Sequence, residues 1–293
     1  MMMKNRHWVG WLLGTLLFLL GLPGFTQDFG QGAVLDSERY NSLPEKAELS
    51  LQAYAELPEA VSLKEFSPIP GDQKLYGTCV GWATAYAART ISESVILNRR
   101  HREATMDNAF SPVFIYKNIS DDPECQTGTS ISAALDLMKA EGAARMIEVE
   151  RSVDFPKVPL TKYKGTRKYP IAGYVVLYHA GTRRGSRPTH VQMVKQSLAE
   201  GKPVIIGMNT PDSFIRVVGE VWRPRESPGS NYGGHAMCVV GYDDTKYGGA
   251  FEVQNSWGKK WGNGGYIWIP YDAFTQWVTE SYEIIENPAY FSE

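Results

Sequence analysis

Three side chains set far apart in the chain can together do covalent chemistry: the thiol of Cys79, the imidazole of His235 and the carboxamide of Asn255. A cysteine attacks as its thiolate, and a helix start favours that form because unpaired backbone N–H groups and the positive end of the helix dipole face it. The run CVGWATAYAARTISESVILNRR predicts a helix opening at Cys79, with Thr78 as N-cap candidate and Arg99 and Arg100 at its far end. His235 opens a strand-like run, HAMCVVGYDD, and Asn255 ends the next one, AFEVQN. If those strands pair as a hairpin, the Asn255 carbonyl can accept from one ring nitrogen of His235 and leave the other to exchange a proton with the thiol. Gln73, six residues before Cys79, can donate to an oxyanion alongside the Cys79 N–H. Taken singly, these residues read as a small buried cysteine, a structural histidine, a turn asparagine and a surface amide. Their order and company favour the chemical reading.

The elements that must position them fall into two halves. From about 79 to 145 the pattern is helical, with a second helix at Ser130 to Ala140 ending near Gly142. From about 171 to 286 short runs rich in Val, Ile and aromatics dominate, namely AGYVVLYHA, KPVIIGM, HAMCVVGYDD, AFEVQNSWG and GGYIWIP, with one internal helix at His190 to Ala199. Helices first and strands later predict an α+β fold. Ahead of both, 27–56 is polar and broken, except for Pro44 to Leu57, where Leu49, Tyr54 and Leu57 could share a helical face.

At these residues the sequence resembles the papain-like cysteine peptidases. The likeness rests on QKLYGTCVGWA around Gln73 and Cys79, GGHAMCVVGYDD around His235, and QNSWGKKWGNGGYIWI around Asn255, in that order. It implies a helical lobe and an antiparallel sheet or barrel lobe with an active cleft between them. It also implies Cys79 as nucleophile, His235 as acid and base, Asn255 as orienting group and Gln73 in the oxyanion hole. Trp257 takes the place of an indole that shields the His–Asn bond, with Trp261 nearby. The separation from Cys79 to His235 is 156 residues, beyond the roughly 130–150 usual for such sites, so loop insertions are expected in TKYKGTRKYP and RVVGEVWRPRESPGSNYGG. Val80 stands where Trp is usual, and Trp82 is expected to fill related space. Gly234 stands where Asp is common. Tyr76 replaces a common cysteine and leaves Cys125 without its usual disulfide partner.

Composition agrees with a globular exported protein. The chain has 293 residues, 43% hydrophobic and 21% charged, with a net charge of −2, which argues against disorder, a polytopic membrane protein or a basic nucleic-acid surface. Three cysteines cannot form a disulfide scaffold; Cys238 is expected in the core, and a Cys125–Cys238 bond stays open. Lys4, Arg6 and His7, then 15 uncharged residues from Trp8 to Leu22, predict a signal peptide over 1–26, removed before Gln27. That leaves 27–56 as a short extension or pro-segment and 57–293 as the peptidase domain. The expected location is periplasmic or secreted, without stable membrane insertion after cleavage. The expected substrate is a polypeptide, the expected state a monomer, and no metal, organic cofactor or nucleic acid is implied. The basic residues Lys162, Lys164, Arg167, Lys168, Arg183, Arg184 and Arg187 read as solvated loops. Rival readings keep the same site for acyl transfer or cell-wall peptide amidation, or make it a silent binding domain.

Overall fold

The computed structural model describes residues 29–149, 164–179, 189–229 and 231–291. Within them a central helical run opens at Cys79, has α geometry over Cys79–Gly81, π geometry over Trp82–Arg89, and α geometry again over Thr90–Ile96. Alanines at 83, 85, 87 and 88, all buried, let neighbouring elements approach its backbone closely. Helices Pro112–Ile119 and Ile131–Ala140 pack against its start, each opened by a serine whose hydroxyl caps the third N–H. Thr78 occupies the N-cap position of the central run but makes no capping bond, and its hydroxyl is buried without a partner. The expected cap is therefore corrected: with φ −108° and ψ 10°, Thr78 lies outside the extended region from which an N-cap hydroxyl reaches the first free N–H groups.

The strand half forms an antiparallel sheet of β1 (Ala60–Ser62), β4 (Gly173–Val176), β5 (Val204–Asn209), β6 (Gly234–Asp243), β7 (Ala250–Gln254), β8 (Tyr266–Pro270) and β9 (Val278–Ile285). Its order is β4-β9-β5-β6-β7-β8, with β1 beside β6. A small ladder joins β2 (Ala143–Ala144) to β3 (Lys168–Tyr169). In β6 all but the end residues are buried. The central helix covers one face of that strand and the His190–Ala199 helix lies against it as well, which is why HAMCVV reads as a continuous apolar run. The His190–Ala199 helix appears where expected and carries a full capping box between Thr189 and Gln192. The α+β class and the two-lobed arrangement hold. Strand β9 and helix Tyr271–Trp277 lie in a stretch that the sequence reading left unassigned.

The extension is part of the packing. Its helices are short, Ser37–Ser42 and Leu51–Ala55. Tyr40, Leu43 and Tyr54 are buried, and Lys46 pairs with Glu200 and the buried Glu283. Leu49 is exposed, so the expected Leu49–Tyr54–Leu57 face is corrected to one anchored by Tyr54, whose hydroxyl donates to Gln196. The predicted signal peptide over 1–26 lies outside the described residues, as do Lys162, Arg183, Arg184 and Arg187.

Candidate active site

The β6–β7 register sets Cys238 opposite Gln254, which brings His235 near the start of β6 and Asn255 just past the end of β7 to the same edge of the sheet. There His235 Nε2 donates to Asn255 Oδ1 at 2.7 Å. The Ser256 backbone N–H donates to the same oxygen, also at 2.7 Å, and fixes which end of the carboxamide faces the ring. Since that oxygen can only accept, the ring proton sits on Nε2 and Nδ1 carries the lone pair; Nδ1 is buried with no hydrogen-bond partner. Trp257 stacks on His235 with ring centroids 4.4 Å apart, and Trp261 meets Trp257 edge-on at 5.3 Å. Both indoles are buried, and Trp257 lies over the His235 ring at the place the resemblance implies for it.

Cys79 opens the central helix, which packs on β6, and Gln73 sits in the loop before it. Ser256 Oγ donates to Gln73 Oε1 at 2.6 Å, which turns the Gln73 amide nitrogen into the groove. Sequence reasoning missed this orienting role of Ser256, although the residue lies inside the quoted NSWG string. The thiol, imidazole, two carboxamides and shielding indole thus meet in one region.

The groove is occupied by the chain itself. Phe29 stacks on Trp257 at 4.9 Å, and the Gly30 carbonyl accepts from Gln73 Nε2 at 3.0 Å and from Trp257 Nε1 at 2.8 Å. Gly32 and Ala33 N–H both donate to the Gly234 carbonyl, while Thr129 N–H donates to the Gly32 carbonyl and Val34 N–H to the Thr129 carbonyl. Gln31 bonds Thr210. This strap is held mainly through backbone, and only glycine fits at its closest points. A Cβ on Gly30 would lie 2.3 Å from the Tyr76 carbonyl, and one on Gly32 within 2.5 Å of the Gly77 backbone. The signal available in the sequence was the FGQGAV spacing, whose purpose becomes legible only beside Tyr76 and Gly77.

Coverage changes the electrostatics. Burial pushes the Cys79 thiol up to about 12, only partly offset by amides of Ala236, Gly32 and Val80. Burial also lowers His235 to about 4, opposed by its bond to Asn255. In this covered state desolvation outweighs the helix-start dipole and disfavours both the thiolate and the imidazolium, against the thiolate expected from the helix start.

The remaining expected residues are placed as follows. Gly234 contributes its carbonyl to the strap, and Trp82 is buried beside Tyr86. Cys125 and Cys238 are buried and free. Among the described residues no group of three His, Cys, Asp or Glu side chains is arranged to hold a metal ion. A cavity of about 680 Å³ between Asp212 and Glu226, floored by Trp222, is lined by none of the expected site residues. It belongs to the second expected insertion.

Comparisons place these features among known proteins. The profile described as papain family cysteine protease matches residues 72–286. An uncharacterized peptidase C1-like protein of Acanthamoeba polyphaga mimivirus is 28% identical over 68% of this chain and 63% of its own length. A cysteine protease of Blomia tropicalis is 20% identical over 78% of this chain and 66% of its own. The chain thus spans less than two thirds of the length of either curated relative. Among solved structures, xylellain, a cysteine protease from Xylella fastidiosa, superposes with a TM-score of 0.65 at 23% identity, covering 88% of this chain and 96% of that one. Procathepsin B S9 from Trypanosoma congolense gives 0.65 at 18% identity, covering 88% and 87%.

Proposed function

Since the chain belongs to the papain family of cysteine proteases, we propose that it is a peptidase that hydrolyses peptide bonds through a thioester on Cys79. Cys79 attacks the amide carbonyl after its proton passes to His235 Nδ1. His235, held at Nε2 by Asn255, protonates the leaving amine, and water activated by His235 then releases the acyl group. Gln73 and the Cys79 N–H stabilise the tetrahedral oxyanion. The observation that carries this reading is a peptide backbone, the chain's own, seated in the groove with its Gly30 carbonyl on the Gln73 amide. A donor that reaches this carbonyl reaches that of a polypeptide substrate laid in the same place.

The course of residues 29–35 supports reading 27–56 as a pro-segment that masks the site. The corresponding proposal for location is export after removal of 1–26, with the mature protein acting as a monomer. Among the described residues no helix is long and apolar enough to cross a membrane.

Peptide-library cleavage and labelling by an epoxysuccinyl probe, under reducing conditions, test the reading. The full chain should label slowly, Cys79→Ala should not label, and Gly32→Val should label more than about tenfold faster, since a clash of only 1.4 kcal/mol shifts an equilibrium by that factor. Absence of labelling in both the wild type and Gly32→Val would favour the silent binding groove, which draws on the complete burial of Cys79. Products carrying an added amine acceptor would favour acyl transfer.

A further inference from the structure

Beside Asn255 lies a cavity of about 10 Å³, bordered among others by Gly71, Trp82, Ala83, Met237 and Gln254. Three of these residues own a buried polar atom without a hydrogen-bond partner: Trp82 Nε1, Gln254 Oε1 and Asn255 Nδ2. None of the three is free to turn away. Asn255 Oδ1 is committed to His235 and to the Ser256 N–H, so the NH₂ end of its amide faces the other side. The Gln254 amide nitrogen donates to the Pro68 carbonyl at 3.3 Å, which leaves Oε1 as the spare acceptor. The Trp82 indole is locked in by Tyr86, whose ring meets it edge-on at 4.8 Å.

The residues that own these two donors and one acceptor border a space of one probe sphere, and a single water, which accepts two hydrogen bonds and donates a third, matches that valence. We propose that one structural water occupies this cavity, bonded to Trp82, Gln254 and Asn255, and that Trp82 is thereby a positioning residue for the His235–Asn255 pair. The inference rests on the proposed role of that pair. The water ties the rear of the Asn255 carboxamide to the first residue of the π-helical stretch, so the amide cannot rock about its Cβ and its oxygen stays on the imidazole N–H. Trp82, three residues after Cys79 in the chain, thereby acquires a task.

The test uses the full chain. A high-resolution crystal structure should show water density within hydrogen-bond distance of all three atoms. Trp82→Phe, which keeps the ring and deletes the donor, should move the His235 Nε2–H proton resonance upfield and speed its exchange with solvent. Gln254→Met should do the same, and it keeps the question answerable if Trp82→Phe fails to fold. Turnover should fall roughly fivefold with KM little changed, the scale of one ordinary hydrogen bond. A dry cavity, or an unmoved His235 resonance in a folded variant, overturns the proposal. If the wild type cleaves nothing, the peptidase reading fails by itself, and the density and the resonance still decide this one.

Discussion

At the scale of single residues, burial in the covered site disfavours the charged forms of both Cys79 and His235. Freeing the site from the strap admits water, lowers the cost of charge separation and lets the thiolate and imidazolium form together. Iodoacetamide should therefore alkylate Cys79 slowly in the full chain and much faster, and at lower pH, in Gly32→Val; His235→Ala in the Gly32→Val background should push that profile back up. An unchanged profile would count against the pairing. Gln73→Ala should lower kcat about a hundredfold, the usual effect of deleting one oxyanion donor. The same change deletes a strap contact, so kcat and labelling rate should move in opposite directions if Gln73 plays both parts. For Asn255→Ala the expectation is reduced turnover at nearly unchanged thermal stability. Motif and spacing single out these four residues as candidates, and the structure brings them to one region. The roles of Ser256 and Trp82 were not legible in the sequence, because each depends on which way a carboxamide faces.

At the scale of elements, the extension divides at about Leu35. Residues 29–35 touch the groove mainly through backbone, whereas Asp36 onward is fixed to the β4–β9 end of the sheet: Asp36 N–H donates to Glu280, and Tyr40 donates to the Tyr178 carbonyl. Burying side chains such as Tyr40, Leu43 and Tyr54 contributes about 1.5–3 kcal/mol each, a large share of the roughly 5–15 kcal/mol that holds a domain. A chain starting at Asp36 should therefore be active and melt within a few degrees of the full chain. One starting at Leu57 should melt far lower or precipitate. Thermal melts and cleavage assays on the two truncations check this, and equal melting points would remove the distinction. The sequence reading placed the boundary at Leu57; the contacts of Tyr40 and Lys46, made with residues more than a hundred positions away, were invisible to it.

At the scale of the whole molecule, the central helix is tied to the end of β9 by buried charge. Arg89 Nη1 lies 2.9 Å from Glu286 Oε2, close enough for an ion pair although its angles fall outside a hydrogen bond, and Arg145 holds Glu93 with two contacts of 2.7 and 2.9 Å. Glu93→Gln should cost about 3–5 kcal/mol, because the arginines around it would keep their charge without its partner; chemical denaturation measures it. The site itself makes stability depend on pH. His235 is lowered from 6.5 to about 4, so the unfolded chain binds more protons between those values and stability falls as pH drops through them, by at most about 3 kcal/mol. Cys79 is raised from 9.0 to about 12, so its contribution is complete below pH 9 and is lost as pH rises toward 12. Denaturation midpoints should form a plateau between about pH 6.5 and 9. Cys79→Ala should remove part of the alkaline slope, and an unchanged slope would contradict its cause.

The sequence by itself determined the fold class, the two main helices, the strand that carries His235 and the strand that ends just before Asn255, because period and motif strings are local properties. Tertiary structure alone decided that the groove is covered, that burial there disfavours the Cys79 thiolate, and that the extension is half strap and half foundation. Those outcomes depend on desolvation and on contacts such as Gly30 with Gln73, which exist only once distant segments are brought to the same place.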